Sequence, residues 1–224
     1  SIEDYVINVM HIATYKFAEQ FARGKRVLDY GCGSGYGSAR ISEVADFVHA
    51  VDVSEDAIRY AQNHYQRPNL SFLRVDPDST LPFPAHSFDT VLSFQVFEHI
   101  LKTEVYLSEI RRILVPGGRL VLVTPDRKTR LLPLQQPWNR WHIHEYSASE
   151  IESLLGNYFQ DVQIQHMSGR KDVIDIEIRR CTKLKWMTLP FTLPFMPNAM
   201  RIGMLNLMHR IKGDRRSNKP AEQF

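Results

Sequence analysis

Apolar residues recur along this chain in two patterns, one helical and the other typical of buried strands. Between residues 4 and 22 they have helical spacing and fall near one face, as Val6, Met10, Ala13, Phe17 and Phe21. Short apolar runs then alternate with amphipathic segments as far as residue 124. We expect strands at 26–30, 47–52, 70–75, 88–93 and 119–124, and helices at 37–45, 55–65 and 103–114.

Strands that alternate with helices in this way pair in parallel through right-handed crossovers. After residue 124 the pattern changes. Ser147, with Glu150 three residues later, forms a capping box and predicts a helix over 147–155. Two further segments, 161–166 and 173–179, are predicted to pair as antiparallel strands. The expected fold is an α/β three-layer sandwich with a mostly parallel, seven-stranded sheet.

The turn after the first strand carries the strongest functional signal. Asp29 precedes a turn, residues 31–35, with glycine at every second position. Such glycines let the backbone turn sharply and let a ligand lie against the main chain. Asp52 follows at the end of the second strand, where a carboxylate can accept both hydroxyls of a ribose. The spacing differs from the G-x-G-x-x-G of dinucleotide sites, because Tyr36 and Ser38 stand where its last glycine would fall.

The motif D-x-G-x-G-x-G resembles the first motif of the class I S-adenosylmethionine-dependent methyltransferases, and of their type 11-like group in particular. Four later segments match that family's pattern in the same order: Val51 to Ser54, Leu81 to Asp89, Glu98 to Ile100 and Leu114 to Gly118. The resemblance covers residues 20–165. It implies a Rossmann-like methyltransferase fold with S-adenosyl-L-methionine as the cofactor.

The resemblance also implies which residues contact the cofactor. Asp76 follows the third strand, where the family contacts adenine, and Tyr15 matches a tyrosine of the first helix. The implied cofactor-binding set is Asp29, Gly31, Cys32, Gly33, Gly35, Asp52, Val53, Asp76, Phe94 and Tyr15.

Glu98 and His99 resemble a pair that helps to hold a divalent metal in some methyltransferases. Those sites use a second glutamate three residues earlier, and here that position is Gln95, a neutral and weaker ligand. We therefore expect no metal.

Residues 137–146 are rich in aromatic and histidine side chains and are predicted to meet the acceptor. In an extended segment His142, His144 and Tyr146 share one face, and histidine suits a general base near neutral pH. The alternative is a polar cover over the sheet edge. The segment resembles one in methyltransferases encoded with polysaccharide and glycolipid biosynthesis enzymes. The catalytic candidates are therefore His142 and His144, followed by His99.

These residues predict O-methylation of a hydroxyl on a small-molecule or lipid-linked glycan, for which Trp138 and Trp141 could stack on a sugar ring. Two alternatives stay open. One is a methyltransferase of a quinone or another aromatic metabolite. The other is a non-catalytic partner protein that binds S-adenosylmethionine.

Charge is distributed unevenly along the 224 residues. Lys and Arg number 28 and Asp and Glu 25, for a net charge of +3. Eight of the basic and two of the acidic residues lie from Lys183 onward, so this end carries about +6 and the rest about −3. The body has no basic stripe with interleaved aromatic residues, which argues against a nucleic-acid partner. The two cysteines lack metal-binding spacing and fit a reduced, cytoplasmic location.

We expect a methyltransferase domain at 1–182 and a basic, Met- and Pro-rich extension at 183–224. The stretch 186–200 is too short, and too interrupted by prolines, to span a bilayer as a helix. Beyond it, a helical face is predicted to contain Met200, Met204, Leu207, Met208 and Ile211. Segment 186–216 is therefore a candidate for peripheral contact with the inner face of the membrane. The alternatives are packing on its own domain, a homodimer contact and disorder.

Overall fold

The computed structural model describes residues 2–77 and 79–211, apart from the side chains of His209 and Ile211. The strands are β1 (Arg26–Tyr30), β2 (Phe47–Asp52), β3 (Leu70–Arg74), β4 (Phe88–Phe94) and β5 (Leu114–Val123). The α-helices are α1 (Ile2–Ala22), α2 (Tyr36–Ile41), α3 (Glu55–His64), α4 (Thr103–Ile113), α5 (Arg127–Arg130), α6 (Ala148–Gly156), α7 (Lys171–Thr188) and α8 (Asn198–Ile211). Short 3-10 helices lie at Phe97–His99 and Leu189–Phe191.

The described residues divide into two compact units. The sheet unit comprises residues 11–123. The C-terminal unit comprises residues 2–10 and 124–211.

All strands of the sheet unit pair in parallel, in the order β3-β2-β1-β4-β5. The chain therefore starts in the middle of the sheet, builds one half outward, and returns to the middle to build the other half. The strand order reverses between β1 and β4. In open parallel sheets, ligands bind in the crevice at the carboxyl ends of the two strands that flank such a reversal.

Helices cover both faces of this sheet, as the apolar character of its strands requires. On one face the small residues Ala18, Ala39 and Ala61 belong to the same buried cluster as Val27 and Val48 of the sheet. These alanines come from the second half of α1, from α2 and from α3, and they let three helices approach the strands closely.

The opposite face is covered by α4. The ring of Tyr106 lies 4.9 Å from that of Tyr30 in β1, and its hydroxyl shares a 2.5 Å hydrogen bond with Ser93 Oγ in β4. The expected three-layer, parallel α/β arrangement is thus confirmed. The expected number of strands is wrong, because the described residues contain five strands rather than seven.

The predicted antiparallel pair is the source of that error. Residues 161–166 have no regular structure, and 173–179 lie inside the long helix α7. The local alternation of Ile174, Ile176 and Ile178 favours a strand over a few residues only. Over the whole helix the more buried positions are instead spaced three or four apart, as at Cys181, Leu184 and Thr188. The helical spacing, which extends over the whole segment, therefore outweighs the short alternation, and the segment forms a helix.

Two other expectations need correction. Phe17 is exposed, and the buried side of α1 in the sheet unit is formed by Tyr15 and Ala18 among others. The strand expected from residue 119 begins at Leu114 instead, with a register irregularity between Phe88 and Thr90 where it meets β4. A Cβ on Gly118 would lie 2.9 Å from the carbonyl oxygen of Val115, so glycine is required inside this irregular stretch.

In the C-terminal unit the capping box is confirmed: Ser147 Oγ accepts from the N–H of Glu150, whose carboxylate accepts from the N–H of Ser147. The segment after α7 packs within the same unit. Gln135 Nε2 donates to Thr192 Oγ1 over 2.8 Å, and Leu205 is fully buried. Residues 212–216 of the predicted membrane segment lie outside the described residues. None of the described helices is both long and apolar enough to cross a membrane.

Candidate active site

The turn between β1 and α2 is built on glycines that no other residue can replace without strain. Gly31, Gly33 and Gly35 have φ values of +84°, +53° and +85°, in the left-handed region that favours glycine. A Cβ on Gly31 would lie 2.2 Å from Val96, and one on Gly35 would lie 2.7 Å from the ring of Phe72. The turn therefore brings a bare main chain against the residues that follow β4, at the reversal of strand order.

Asp52, at the end of β2, is tied to this turn. Its Oδ2 accepts the N–H of Gly33 over 2.9 Å, and its Oδ1 accepts the N–H of Ser54 over 2.8 Å. A carboxylate offers about four lone-pair sites. Each oxygen of Asp52 therefore keeps acceptor capacity for a ligand while it fixes the turn.

Asp29 is a fully buried carboxylate in β1. Ser38 Oγ donates to it over 2.6 Å and Tyr15 Oη over 3.2 Å. Burial raises the pKa of Asp29 to about 6, the two hydrogen bonds oppose this, and the charge of Asp52 adds to it. Tyr15 in turn packs so closely on the backbone of Gly37 that a Cβ there would lie 2.0 Å from its ring.

Two further side chains of the turn region are buried. Burial, followed by the charges of Asp29 and Asp52, raises the pKa of the Cys32 thiol, which therefore stays protonated and is a poor nucleophile. The Tyr36 hydroxyl is buried and finds no hydrogen-bond partner among the described residues. Burial likewise raises the pKa of Tyr36, so its hydroxyl is a neutral donor beside the turn.

The other members of the predicted cofactor set fall in different places. Phe94 is buried at the end of β4, with its ring edge-on to Tyr15 at 4.9 Å. Val53 follows Asp52 and is exposed. Asp76 is also exposed and forms a 2.5 Å ion pair with Arg74. The structure thus gathers most of the set around the turn but leaves Asp76 in a surface ion pair.

The C-terminal unit holds the loop of residues 137–146. His142 is buried, and its Nδ1 lies 2.7 Å from Glu145 Oε1. Arg130 Nε donates to the other oxygen of the same carboxylate over 2.9 Å. Burial alone would raise the pKa of Glu145, but the hydrogen bond to His142 and the charge of Arg130 hold this pKa below its ordinary value. The buried ion pair fixes the loop.

This arrangement corrects the expected extended segment. His142 faces Glu145, whereas His144 is exposed and packs edge-on against Tyr146 at 4.4 Å. The two histidines therefore do not share a face. The chain turns between residues 142 and 145, which places His142 beside the buried carboxylate of Glu145. Trp138 is not open for stacking either, since the guanidinium of Arg130 covers its ring at 4.0 Å. Trp141 is exposed.

Comparisons with known proteins agree with this geometry. Residues 28–122 match the model of a methyltransferase domain. A Mycolicibacterium smegmatis protein named "Probable S-adenosylmethionine-dependent methyltransferase" is 34% identical over 145 residues, which are 65% of this chain and 55% of that protein. Residues 28–122 of this chain therefore form a methyltransferase domain of the S-adenosylmethionine-dependent type. Its cofactor is S-adenosyl-L-methionine.

Two further comparisons extend the picture of this methyltransferase domain. A "Fatty-acid O-methyltransferase" of the same organism is 33% identical over 117 residues, 51% of this chain and 41% of that protein. The crystal structure of a methyltransferase from Mesorhizobium loti is 18% identical, with a TM-score of 0.59, and covers 73% of this chain and 86% of its own. The latter supports the fold alone. This chain spans about half the length of the curated relatives it matches.

Sequence reasoning missed several residues of the methyltransferase domain and its C-terminal unit. Ser38, whose hydroxyl donates to Asp29, stands where a dinucleotide motif would have glycine and carries no other sequence signal. Gln95 has a φ of +58°, unusual for a non-glycine residue, directly after β4. Arg130, the partner of Glu145, gave no signal in sequence because the two residues are 15 positions apart.

Replacing Asp29 by asparagine tests the buried carboxyl of the methyltransferase domain. Between about pH 4 and 6 the folded protein keeps the proton of Asp29 while the unfolded chain, with a pKa near 3.8, has released it. The free energy of unfolding therefore falls as the pH rises through this window, by up to about 3 kcal/mol. Asp29→Asn lacks this loss. In urea unfolding at several pH values, the free energy of unfolding of the variant should therefore rise relative to that of the native protein as the pH increases from 4 to 6.

The matched control is Asp56→Asn, because Asp56 lies on the exposed side of α3. Its stability relative to the native protein should stay nearly constant over the same range. A difference between Asp29→Asn and the native protein that also stays constant from pH 4 to 7 would contradict the raised pKa.

Proposed function

We propose that this chain transfers the methyl group of S-adenosylmethionine to a hydroxyl of a glycan or glycolipid. The observation that carries the proposal is the bare glycine turn of residues 31–35 tied to the carboxylate of Asp52. The cofactor supplies a methyl group that its sulfonium already makes reactive. The protein's task is then to hold the acceptor in line with that group and to exclude water.

The residues present fit this cofactor. Asp52 has one acceptor site left on each oxygen, as two ribose hydroxyls require. Asp29 and Asp52 together make the turn region negative, which suits a positively charged ligand. We propose Tyr15 and Asp29 as positioning residues, since they hydrogen-bond each other and pack against the turn. The buried Tyr36 hydroxyl is a further donor that a ligand could satisfy.

Among the histidines, we propose His144 as the general base. It is exposed and its ring is held by Tyr146, whereas Nδ1 of His142 is taken by Glu145. His142 is better suited to fixing the loop. His99, exposed in the 3-10 helix after β4, is the second candidate. The name of the fatty-acid O-methyltransferase relative supports oxygen as the methylated atom and a lipid-bearing acceptor.

His144→Ala should lower the turnover about 100- to 10,000-fold, the usual effect of removing a general base. Affinity for the cofactor should not change. Turnover is measured as transfer of a labelled methyl group from the cofactor to a glycolipid fraction. The control is His166→Ala, an exposed histidine of the same unit, which should behave as the native protein. Native turnover in both His144→Ala and His99→Ala would contradict a histidine base, whereas failure of the native protein to methylate any glycolipid would contradict the acceptor class.

We also propose that residues 186–211 contact the inner face of the membrane, where a lipid-linked acceptor resides. Trp186, Phe195 and Leu207 are 56%, 76% and 58% exposed. Residues 183–211 contain four basic and no acidic residues. Exposed apolar side chains flanked by positive charge are typical of a surface that binds an anionic lipid interface.

The native protein should co-sediment with anionic vesicles at low salt and be released as the salt concentration rises. Phe195→Ser with Leu207→Ser should weaken binding about tenfold or more, from the lost apolar burial. Leu101→Ser, which changes a leucine of the sheet unit that is 69% exposed, should not. A native protein that stays in the supernatant would refute membrane contact. If the same double variant instead dissociates a dimer in sedimentation velocity, this surface contacts a second copy of the chain.

A further inference from the structure

The C-terminal unit contains a polar cleft that the proposed cofactor site does not use. Its volume is about 330 Å³, within the range of small-molecule sites. It lies among α5, the residues before the 137–146 loop, part of that loop and the first turn of α8. Its polar lining comes from Arg127, Gln135, Gln136, His144, Glu145, Asn198 and Arg201.

Arg201 is the unusual member of this lining. Its side chain belongs to a residue only 3% exposed, yet its guanidinium is bonded only to neutral oxygens. Nη1 donates to the carbonyl of Pro137 over 2.6 Å, and Nη2 to Asn198 Oδ1 over 2.7 Å. Within residues 2–77 and 79–211, no carboxylate lies within 4 Å of this guanidinium.

The other well-buried arginines of this unit are neutralised. Arg130 pairs with Glu145 at 2.9 Å and Arg180 with Glu177 at 2.6 Å. A buried charge without a counter-charge is destabilising, and natural proteins usually avoid it. Burial lowers the pKa of Arg201. Among the residues that the structure describes, no carboxylate balances this positive charge at the cleft wall.

Neighbouring charges do not compensate for it. Glu145 also lines the cleft, but its two oxygens are occupied by His142 and Arg130. Arg127 of α5 also lines the cleft and adds a second guanidinium. Its side chain forms a 3.4 Å ion pair with Glu150, which leaves most of its five N–H donors for a ligand.

We propose that this cleft binds an oxyanion, the phosphate or carboxylate group of a small molecule, through Arg127 and Arg201. Guanidinium groups donate paired hydrogen bonds that match both of these anions. Binding here supplies a counter-charge that Arg201 lacks within the described part of the chain. The proposal does not depend on methyl transfer, because binding of the anion can be measured without cofactor or acceptor.

The experiment titrates inorganic phosphate, and separately acetate, into the full chain and follows backbone amide NMR shifts. Sodium chloride at matched ionic strength is the background. We expect saturable shifts at residues 135–136, 143–145 and 198–201. Tighter binding of phosphate would identify a phosphate group as the ligand, and tighter binding of acetate a carboxylate. Absence of saturable shifts at these residues with both anions would overturn the proposal.

Arg127→Gln should weaken binding of the preferred anion about tenfold or more, as loss of a charged hydrogen-bond donor does. Arg127 is partly exposed, so this variant should fold, which thermal unfolding without anion checks. Arg210→Gln, an exposed arginine of α8 outside the cleft, is the matched control and should bind as the native protein does. Equal affinity in Arg127→Gln and the native protein would overturn the role assigned to the cleft.

Discussion

The hydrogen bond from the N–H of Gly33 to the carboxylate of Asp52 joins the ends of β1 and β2 and fixes the turn on which the site depends. It forms because Gly31, Gly33 and Gly35 adopt backbone angles that residues with a Cβ rarely reach. Close packing adds a second constraint, since a side chain at Gly31 would collide with Val96. Backbone geometry and the carboxylate therefore define a single arrangement, in which the side chain of Val96 packs directly against the main chain at Gly31.

Beneath this arrangement lies a carboxyl that costs stability. Asp29 is fully buried, and its pKa is raised to about 6. An asparagine could accept the same hydrogen bonds from Ser38 and Tyr15 without the cost of burying a charge. A charged group kept where a neutral one would be more stable is typical of a functional site. The negative charge near the turn is what a sulfonium-bearing cofactor would require.

The C-terminal unit is organised by arginine-carboxylate pairs. Arg130 contacts Glu145 and covers the ring of Trp138, so one guanidinium fixes both ends of the 137–146 loop. Glu145 in turn holds His142. The two histidines of the loop consequently lie in different environments, since His142 is buried and His144 is exposed. Arg201, which has no carboxylate partner among the described residues, is the exception within this pattern.

Local sequence signals predicted the sheet unit well because its constraints are local. The glycine turn, the strand-ending Asp52 and the alternation of strands with helices each occupy a few consecutive residues. The C-terminal unit was harder to predict. The alternating isoleucines of 174–178 predict a strand when only these few residues are considered. The helical spacing of buried positions becomes visible only over the full 18 residues of α7. The bonding of Glu145 to Arg130 joins positions far apart in sequence, so neither the burial of His142 nor the occupied face of Trp138 could be anticipated.

The central claim is that Asp52 holds the cofactor over the glycine turn, and calorimetric titration with S-adenosylhomocysteine tests it most directly. Asp52→Ala should weaken binding by about 1.5–3 kcal/mol, roughly 10- to 150-fold, the usual size of hydrogen bonds to a charged group. Asp56→Ala, on the exposed side of α3, should bind as the native protein does. Unchanged affinity in a folded Asp52→Ala variant would contradict the account.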